Sequence, residues 1–240
     1  MKTIIITGGT KGLGLSISDY CLKQNFRVVV VSRNKTSEFI DLQLQNKETL
    51  FFESFDFMNS SRIKNLVDKL CQVYGRPWGL INNAAVGMDG ILVTQHEKDI
   101  SALIRINIEA PILLTKYLIR PMILNKSGRI INISSIIASS GFNGLSVYGA
   151  TKSSILGFTK SLAREVGKMG ITVNAISPGY MRTTMTNGID KTKLSAIIRR
   201  SPLRRLTKTS EVAAAVCFLL SDVAEGITGT NITVDAGSTA

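Results

Sequence analysis

The 240-residue chain carries 29 Lys and Arg against 17 Asp and Glu, a formal net charge of +12, and its 44% hydrophobic content can bury one large core, so a single domain over residues 1–240 is expected. The sole histidine, His96, excludes metal sites and triads that need several imidazoles, and the widely separated Cys21, Cys71 and Cys217 indicate neither a disulfide framework nor a zinc site, so no metal is expected. The start of the chain is far too short in apolar residues for a signal-peptide core and no apolar run approaches a membrane span, which predicts a soluble protein of a reducing cytoplasm.

Thr3–Thr7 is a β-branched run without polar alternation and reads as a buried parallel strand. Gly8, Gly9, Gly12 and Gly14 follow, and then Leu15, Ile17, Ser18 and Leu22 at helical spacing. Strand, glycine turn and helix in this order bring backbone amides and a helix N-terminus to a pyrophosphate. Arg27–Ser32, residues 49–55 and residues 78–81 read as the second, third and fourth strands. Residues 100–124 read as a long helix, and residues 130–133, entered through Gly128 and Arg129, as a buried strand delivering Ser134 and Ser135 to its carboxyl end. Residues 146–169 form a long helix, and residues 171–176 and Asn231–Val234 supply the last strands. Strand and helix alternate throughout, the pattern of a doubly wound parallel α/β sheet. His96 reads as a loop or helix-start residue and Trp78 as core. Residues 180–208 are polar, basic and broken by Gly188 and Pro202.

Ser135, Tyr148 and Lys152 offer a hydroxyl, a phenol and an ammonium. Tyr148 and Lys152 are four apart, one helical turn, so their head groups can share a ligand. Such a set points to proton donation to a carbonyl.

These residues together resemble the short-chain dehydrogenase/reductase family over nearly the whole chain. Thr7 to Gly14 fits the family's TGxxxGxG turn. Asn82-Asn83-Ala84-Ala85 fits its NNAG segment, with Ala85 in place of glycine. Asn107, Ser135, Tyr148 and Lys152 fit its catalytic tetrad, and Pro178, Gly179 and Thr183 its segment against the nicotinamide amide. The resemblance implies a Rossmann-like single domain of about seven parallel strands, with residues 180–208 as a lid over the substrate. Glycine usually stands where Arg204 does, which leaves the lid's path open. It further implies that Tyr148 is the proton donor, that Ser135 orients the carbonyl, and that Lys152 binds the nicotinamide ribose and lowers the phenol's pKa. Asn107, at a local helix distortion, would hold a water that returns a proton.

Gly8, Thr10, Lys11, Gly12, Leu13, Gly14, Asn83 and Ala84 are the expected phosphate and ribose contacts, and Asp56 resembles the residue that bonds the adenine amino group. An NAD site normally ends its second strand in a carboxylate; here Ser32 is followed by Arg33, with Lys11 in the glycine turn, and two cations facing a 2′-phosphate favour NADP(H).

The closest likeness within the family is to the reductases of 3-oxoacyl groups on acyl carrier protein, through residues 161–166 and 170–174. That implies an acyl-thioester substrate and an acidic carrier docking on cations beside the cleft, with Lys126 at one such position and Lys168 next to another. A small free carbonyl or alcohol, such as a sugar or polyol, is the alternative substrate; a catalytically idle NADP-binding subunit is the third reading, against which the intact tetrad stands. The positive charges are spread out and form no nucleic-acid module. Apolar residues on more than one face of the helices at 100–124 and 146–169, with Leu113, Leu114, Tyr117 and Leu118 on one and Ile155, Phe158 and Leu162 on the other, predict a subunit interface. The resemblance implies a homotetramer in which these helices pair across a twofold axis and the dimers join through Asn231–Val234.

Overall fold

The computed structural model describes residues 1–183 and 191–240. In chain order these form β1 (Thr3–Thr7), α1 (Gly12–Lys23), β2 (Arg27–Ser32), α2 (Ser37–Gln45), β3 (Leu50–Ser54), α3 (Ile63–Tyr74), β4 (Gly79–Asn82), α4 (Glu97–Ile104), a π-helical turn (Arg105–Glu109), α5 (Ala110–Leu124), β5 (Gly128–Ile133), the short α6 (Ile137–Ser140), α7 (Ser146–Val166), β6 (Ile171–Pro178), α8 (Lys191–Arg200), α9 (Thr209–Leu220) and β7 (Asn231–Val234). The strands make one open seven-stranded sheet in the order β3-β2-β1-β4-β5-β6-β7, with every neighbouring pair parallel. This is the Rossmann-like α/β fold. After β1 the chain builds outward to β3 and then crosses back to β4 on the other side of β1. That reversal opens a crevice beyond the carboxyl ends of the strands.

The uninterrupted apolar runs are explained by burial on both faces. All five residues of β1 are buried. Alternate residues point to opposite layers: Ile4 and Ile6 pack with Ile17, Val212 and Val216 under α1 and α9, while Ile5 packs with Ile63, Leu114 and Leu162 under α3, α5 and α7. Each such side chain contributes about 1.5–3 kcal/mol relative to an exposed one. Trp78 belongs to this core, stacked on Phe26 with ring centroids 5.7 Å apart. His96 stands immediately before α4.

Three expectations change. The helix read over 100–124 is two helices joined by the π-helical turn, which places Asn107 on the distortion expected for it. Leu114, Leu118, Ile155 and Leu162, taken as part of a second apolar face, are buried in the chain's own core, and only Leu113, Tyr117 and Phe158 are half-buried. The surplus available to a subunit contact is therefore smaller than the pattern implied, because these helices bury a broad stripe against both sheet and neighbours. Cys21 and Cys217, far apart in sequence, meet between α1 and α9 as free thiols with their sulfurs 3.8 Å apart. No helix among the described residues is long and apolar enough to cross a membrane.

Candidate active site

The carboxyl ends of β1 to β6 contribute to one cleft of about 750 Å³. After β1 it is lined by Gly8, Thr10, Lys11, Gly12, Leu13 and Gly14, after β2 by Arg33, after β3 by Asp56, after β4 by Asn83 and Ala84, after β5 by Ser135, and at the end of β6 by Pro178, Gly179 and Thr183. Tyr148 and Lys152 reach the same cleft from α7.

The glycine turn is held by close contact rather than by a long side chain. A Cβ on Gly14 would lie 2.1 Å from Gly8 O, and one on Gly8, whose φ is +67°, would lie 3.0 Å from the Ala84 Cα. Asn83 Nδ2 donates to Thr7 O at 2.9 Å and to Gly8 O at 3.1 Å. Thr7 Oγ1 accepts the amides of Asn83 at 3.0 Å and Ala84 at 2.9 Å. Thr7 reads from the sequence as the end of a strand and the start of a motif; its hydroxyl fastens β1 to the segment after β4. The first intrahelical bond of α1 runs from Leu15 N–H to Lys11 O at 3.2 Å, so the amides of Gly12, Leu13 and Gly14 remain for a ligand. No acidic residue stands in that turn. This cradle, which a single Cβ would fill, fits the pyrophosphate of a nicotinamide dinucleotide.

Lys11 and Arg33 are exposed at the cleft and have no ion-pair partner among the described residues. Asp56, which lines the cleft, accepts the Met58 amide through Oδ1 at 3.0 Å. Gly179 is fixed by space: a Cβ there would lie 2.7 Å from the Asp235 Cα. Ala85, where glycine was expected, has no positive φ and lines the cleft without backbone strain.

At the other end of the cleft Ser135 Oγ faces the Tyr148 hydroxyl and accepts the Ile137 amide at 3.2 Å. Lys152 is 4% exposed, its Nζ donates to Ile133 O at 2.9 Å, and it lies 5.8 Å from the centre of the Tyr148 ring. Burial lowers Lys152 to about 8. Burial pushes Tyr148 up to about 12, opposed by Ser135 and reinforced by Tyr180 and Asp89. The expectation that Lys152 depresses the phenol is not met: burial is the largest influence on Tyr148, and the ammonium is itself destabilised by burial and points to a main-chain carbonyl.

Asn107 is 2% exposed and its amide is fully committed. Oδ1 accepts the Val86 amide at 2.9 Å, and Nδ2 donates to Val86 O at 2.9 Å and to Thr151 Oγ1 at 3.2 Å. The side chain thus pins the segment after β4 onto the π-helical turn and α7. Ser134 Oγ donates to Lys152 O at 2.9 Å, tying β5 to α7 beneath the reacting groups.

Lys126 and Lys168 are exposed but precede β5 and β6, at the amino edge of the sheet. Sequence reasoning set them beside the cleft; the cleft lies at the carboxyl edge, a strand length away, about 20 Å for the six residues of β5. Spacing along the chain carries no record of which end of a strand a residue adjoins. Arg199 and Arg200 end α8, two and three residues beyond Ile197, which lines the cleft. Residues 184–190 of the expected lid lie outside the described residues.

A glycine-turn cradle and a buried phenol beside an ammonium share one cleft, and the chain belongs to the short-chain dehydrogenase/reductase family of nicotinamide-dependent oxidoreductases. The family model described as enoyl-(acyl carrier protein) reductase matches residues 8–239. The chain is similar to the 3-oxoacyl-[acyl-carrier-protein] reductase FabG of Buchnera aphidicola subsp. Baizongia pistaciae, 35% identical over 238 residues, and to that of Escherichia coli strain K12, 32% identical over 238 residues. The same-named protein of Rickettsia felis is 35% identical over 236 residues. Each alignment covers 98% of this chain and 96% of the relative.

Proposed function

We propose that the chain reduces a β-ketoacyl thioester, linked to an acyl carrier protein or to CoA, to the β-hydroxyacyl thioester with NADPH. The observation that carries this reading is the meeting of Ser135, Tyr148 and Lys152 in the cleft that the glycine turn enters. Relatives that share nearly the whole length and are reductases of this kind support it.

When bound, the nicotinamide supplies the hydride. Negative charge then develops on the substrate oxygen, and donors aimed at it are stronger in the transition state than in the ground state. Ser135 orients the carbonyl by a hydrogen bond. Tyr148 donates the proton: a phenol at about 12 stays protonated until a more basic oxygen forms beside it, and an alkoxide is such an oxygen. Lys152 binds the nicotinamide ribose, and at about 8 it is the group in the cleft able to pass a proton onward near neutral pH. Asn107 keeps the reacting groups in register and relays water through its main chain. Lys11 and Arg33 take the 2′-phosphate, Asp56 the adenine, and Pro178, Gly179 and Thr183 the nicotinamide amide. Residues 180–208 act as the substrate lid.

The working form is a homotetramer, with Leu113, Tyr117 and Phe158 at one contact and β7 at another. An acidic carrier approaches the mouth at Arg199 and Arg200. Lys126 and Lys168 can serve only a neighbouring subunit's cleft. Charge reversal at Arg199 and Arg200 therefore raises KM for carrier-bound substrate several-fold and leaves the CoA thioester nearly unchanged, and salt weakens only the former. Equal effects on both substrates would remove the docking claim, and a monomer by light scattering the assembly.

The decisive assay follows NADPH oxidation with acetoacetyl carrier protein, acetoacetyl-CoA, the matching enoyl thioester and a panel of free ketones and sugars. Turnover of the acetoacetyl thioesters is expected. Turnover confined to free carbonyls would replace this reading by the small-carbonyl one, and turnover of none of them would leave an idle NADP-binding subunit.

A further inference from the structure

The wall facing Ser135 and Tyr148 holds a second phenol that the chemistry above does not use. Tyr180 follows Gly179 directly and lines the same cleft. Its hydroxyl oxygen is buried and, among the described residues, meets no hydrogen-bond partner. Its ring packs edge-on against Phe142, with centroids 5.9 Å apart and planes at 60°, so the hydroxyl is not free to swing out to solvent at no cost. The main chain is held as well: Tyr180 O accepts the Thr207 amide at 3.1 Å, and Met181 and Thr207 form a parallel bridge. Gly179 stands too close to Asp235 for any side chain, which fixes the residue before it. Burial and the Asp89 carboxylate both hold the Tyr180 phenol above its ordinary value, so it keeps its proton and is a donor.

A buried donor left unpaired is expensive, and a rigidly held one is matched by an acceptor brought in by a ligand. The reacting oxygen already has two donors, Ser135 and Tyr148. A third donor in the same cleft, near enough to Tyr148 for the two phenols to interact electrostatically, calls for a second acceptor on the substrate. A simple ketone has none. A β-ketoacyl thioester has one two carbons from the ketone, and Ile91, Phe142 and Ile197 offer apolar wall for the carbon chain.

We propose that Tyr180 is a specificity-determining residue that donates a hydrogen bond to the thioester carbonyl of a β-ketoacyl substrate, and so selects 1,3-dicarbonyl compounds over simple ketones. This rests on the ketoreductase reading above. A missing donor in a site built for a polar substrate removes discrimination, because the pairing then no longer distinguishes the two classes.

The test is Tyr180→Phe, which keeps the ring and its packing on Phe142. Steady-state rates are measured with acetoacetyl-CoA, with a β-keto ester and with a simple ketone of the same chain length, alongside NADPH binding by fluorescence titration. The expected result is a loss of about tenfold in kcat/KM for both dicarbonyl substrates, mainly through KM, at most about twofold for the ketone, and unchanged NADPH affinity. Equal losses on all three substrates, or none on the dicarbonyl pair, would overturn the assignment while leaving the ketoreductase reading in place. If the unaltered enzyme takes the keto ester but no thioester, the thioester reading fails, and the selectivity of Tyr180 for a second carbonyl is still decided by the ester-to-ketone ratio. An unaltered enzyme that reduces simple ketones alone overturns both. Weakened NADPH binding in the variant shows that Tyr180 supports the fold of the cleft and overturns the assignment as well.

Discussion

At the glycine turn, a Cβ on Gly14 would lie 2.1 Å from Gly8 O, and Asn83 and Thr7 fasten the loop to the neighbouring strands with four hydrogen bonds of 2.9–3.1 Å. Elsewhere in the cleft, Tyr180, Phe142 and Ile91 present side chains, and the buried Tyr180 hydroxyl has no hydrogen-bond partner among the described residues. The first region offers backbone amides that almost any change would displace, while the second offers side chains that can be exchanged one at a time. On the function proposed above, cofactor recognition is built into the fold and substrate recognition is laid upon it. Between the two stand Tyr148 and Lys152, whose perturbation by burial belongs to neither wall alone.

The largest effect expected separates chemistry from binding. Tyr148→Phe removes the proton donor and leaves the glycine turn untouched, so turnover falls on the order of 10²-fold or more while NADPH affinity stays within about twofold. Steady-state assay and titration on one preparation measure both. Near-normal turnover on a confirmed substrate would show that another group is the acid.

The pH dependence is next in size. Burial depresses Lys152 to about 8, so in the free enzyme its charge is lost as the pH rises through that value. If the charged form is needed, kcat/KM for ketone reduction declines above about pH 8, by tenfold per pH unit at the limit. Lys152→Arg, whose charge does not titrate there, abolishes that limb even if it slows the reaction. A limb only near the ordinary range of a phenol would assign control to Tyr148. For stability the sign runs the other way: between about 8 and 10.5 the unfolded chain binds a proton on Lys152 that the folded chain has released, so this group's contribution to stability grows with pH. Between 10 and about 12 the folded chain keeps the Tyr148 proton that the unfolded chain loses, and stability declines. Denaturant titrations across this range check both slopes.

The backbone-built region is probed for charge by Arg33→Asp. It sets a carboxylate where the 2′-phosphate is expected, so NADPH binds about tenfold more weakly, roughly 1.4 kcal/mol, while NADH binding is spared or improved. Equal change for both cofactors would remove Arg33 as the discriminating cation.

The two regions were also unequally legible in the sequence. β1, β2 and β7 were read with the bounds they have, and the glycine turn was recognised, because both depend on contiguous residues: β-branched runs and the spacing Gly8, Gly12, Gly14. Ser135, Tyr148 and Lys152 were found for the same reason, with one helical turn between the last two. What was misread depends on topology and burial. The amino-edge position of Lys126 and Lys168 follows from strand direction, and the raised phenol of Tyr148 from desolvation that no spacing reports. The commitment of Asn107 to Val86 and Thr151 and the unpartnered hydroxyl of Tyr180 needed neighbours distant in sequence to be in place.

The smallest effect concerns Arg204, where glycine was the expected residue. Its φ is +53°, the left-handed conformation that glycine adopts freely, its amide donates to Ser201 O at 2.9 Å, and Nη1 donates to Arg199 O at 2.6 Å. The backbone path therefore keeps the turn that a glycine would make, and the guanidinium bond offsets part of the strain. Because Arg204→Gly and Arg204→Ala both lose that bond, their difference isolates the backbone. An L residue here costs about 1–2 kcal/mol over glycine, of which roughly 0.5–1 kcal/mol is returned through the greater freedom of glycine in the unfolded chain. The glycine variant should then be the more stable of the two by up to about 1.5 kcal/mol, a melting temperature higher by about 2–4 °C per kcal/mol for a chain of this size. Calorimetry on the pair measures it. Equal or reversed stabilities would mean that the left-handed turn relaxes once the guanidinium is gone, and that Arg204 holds the turn rather than tolerating it.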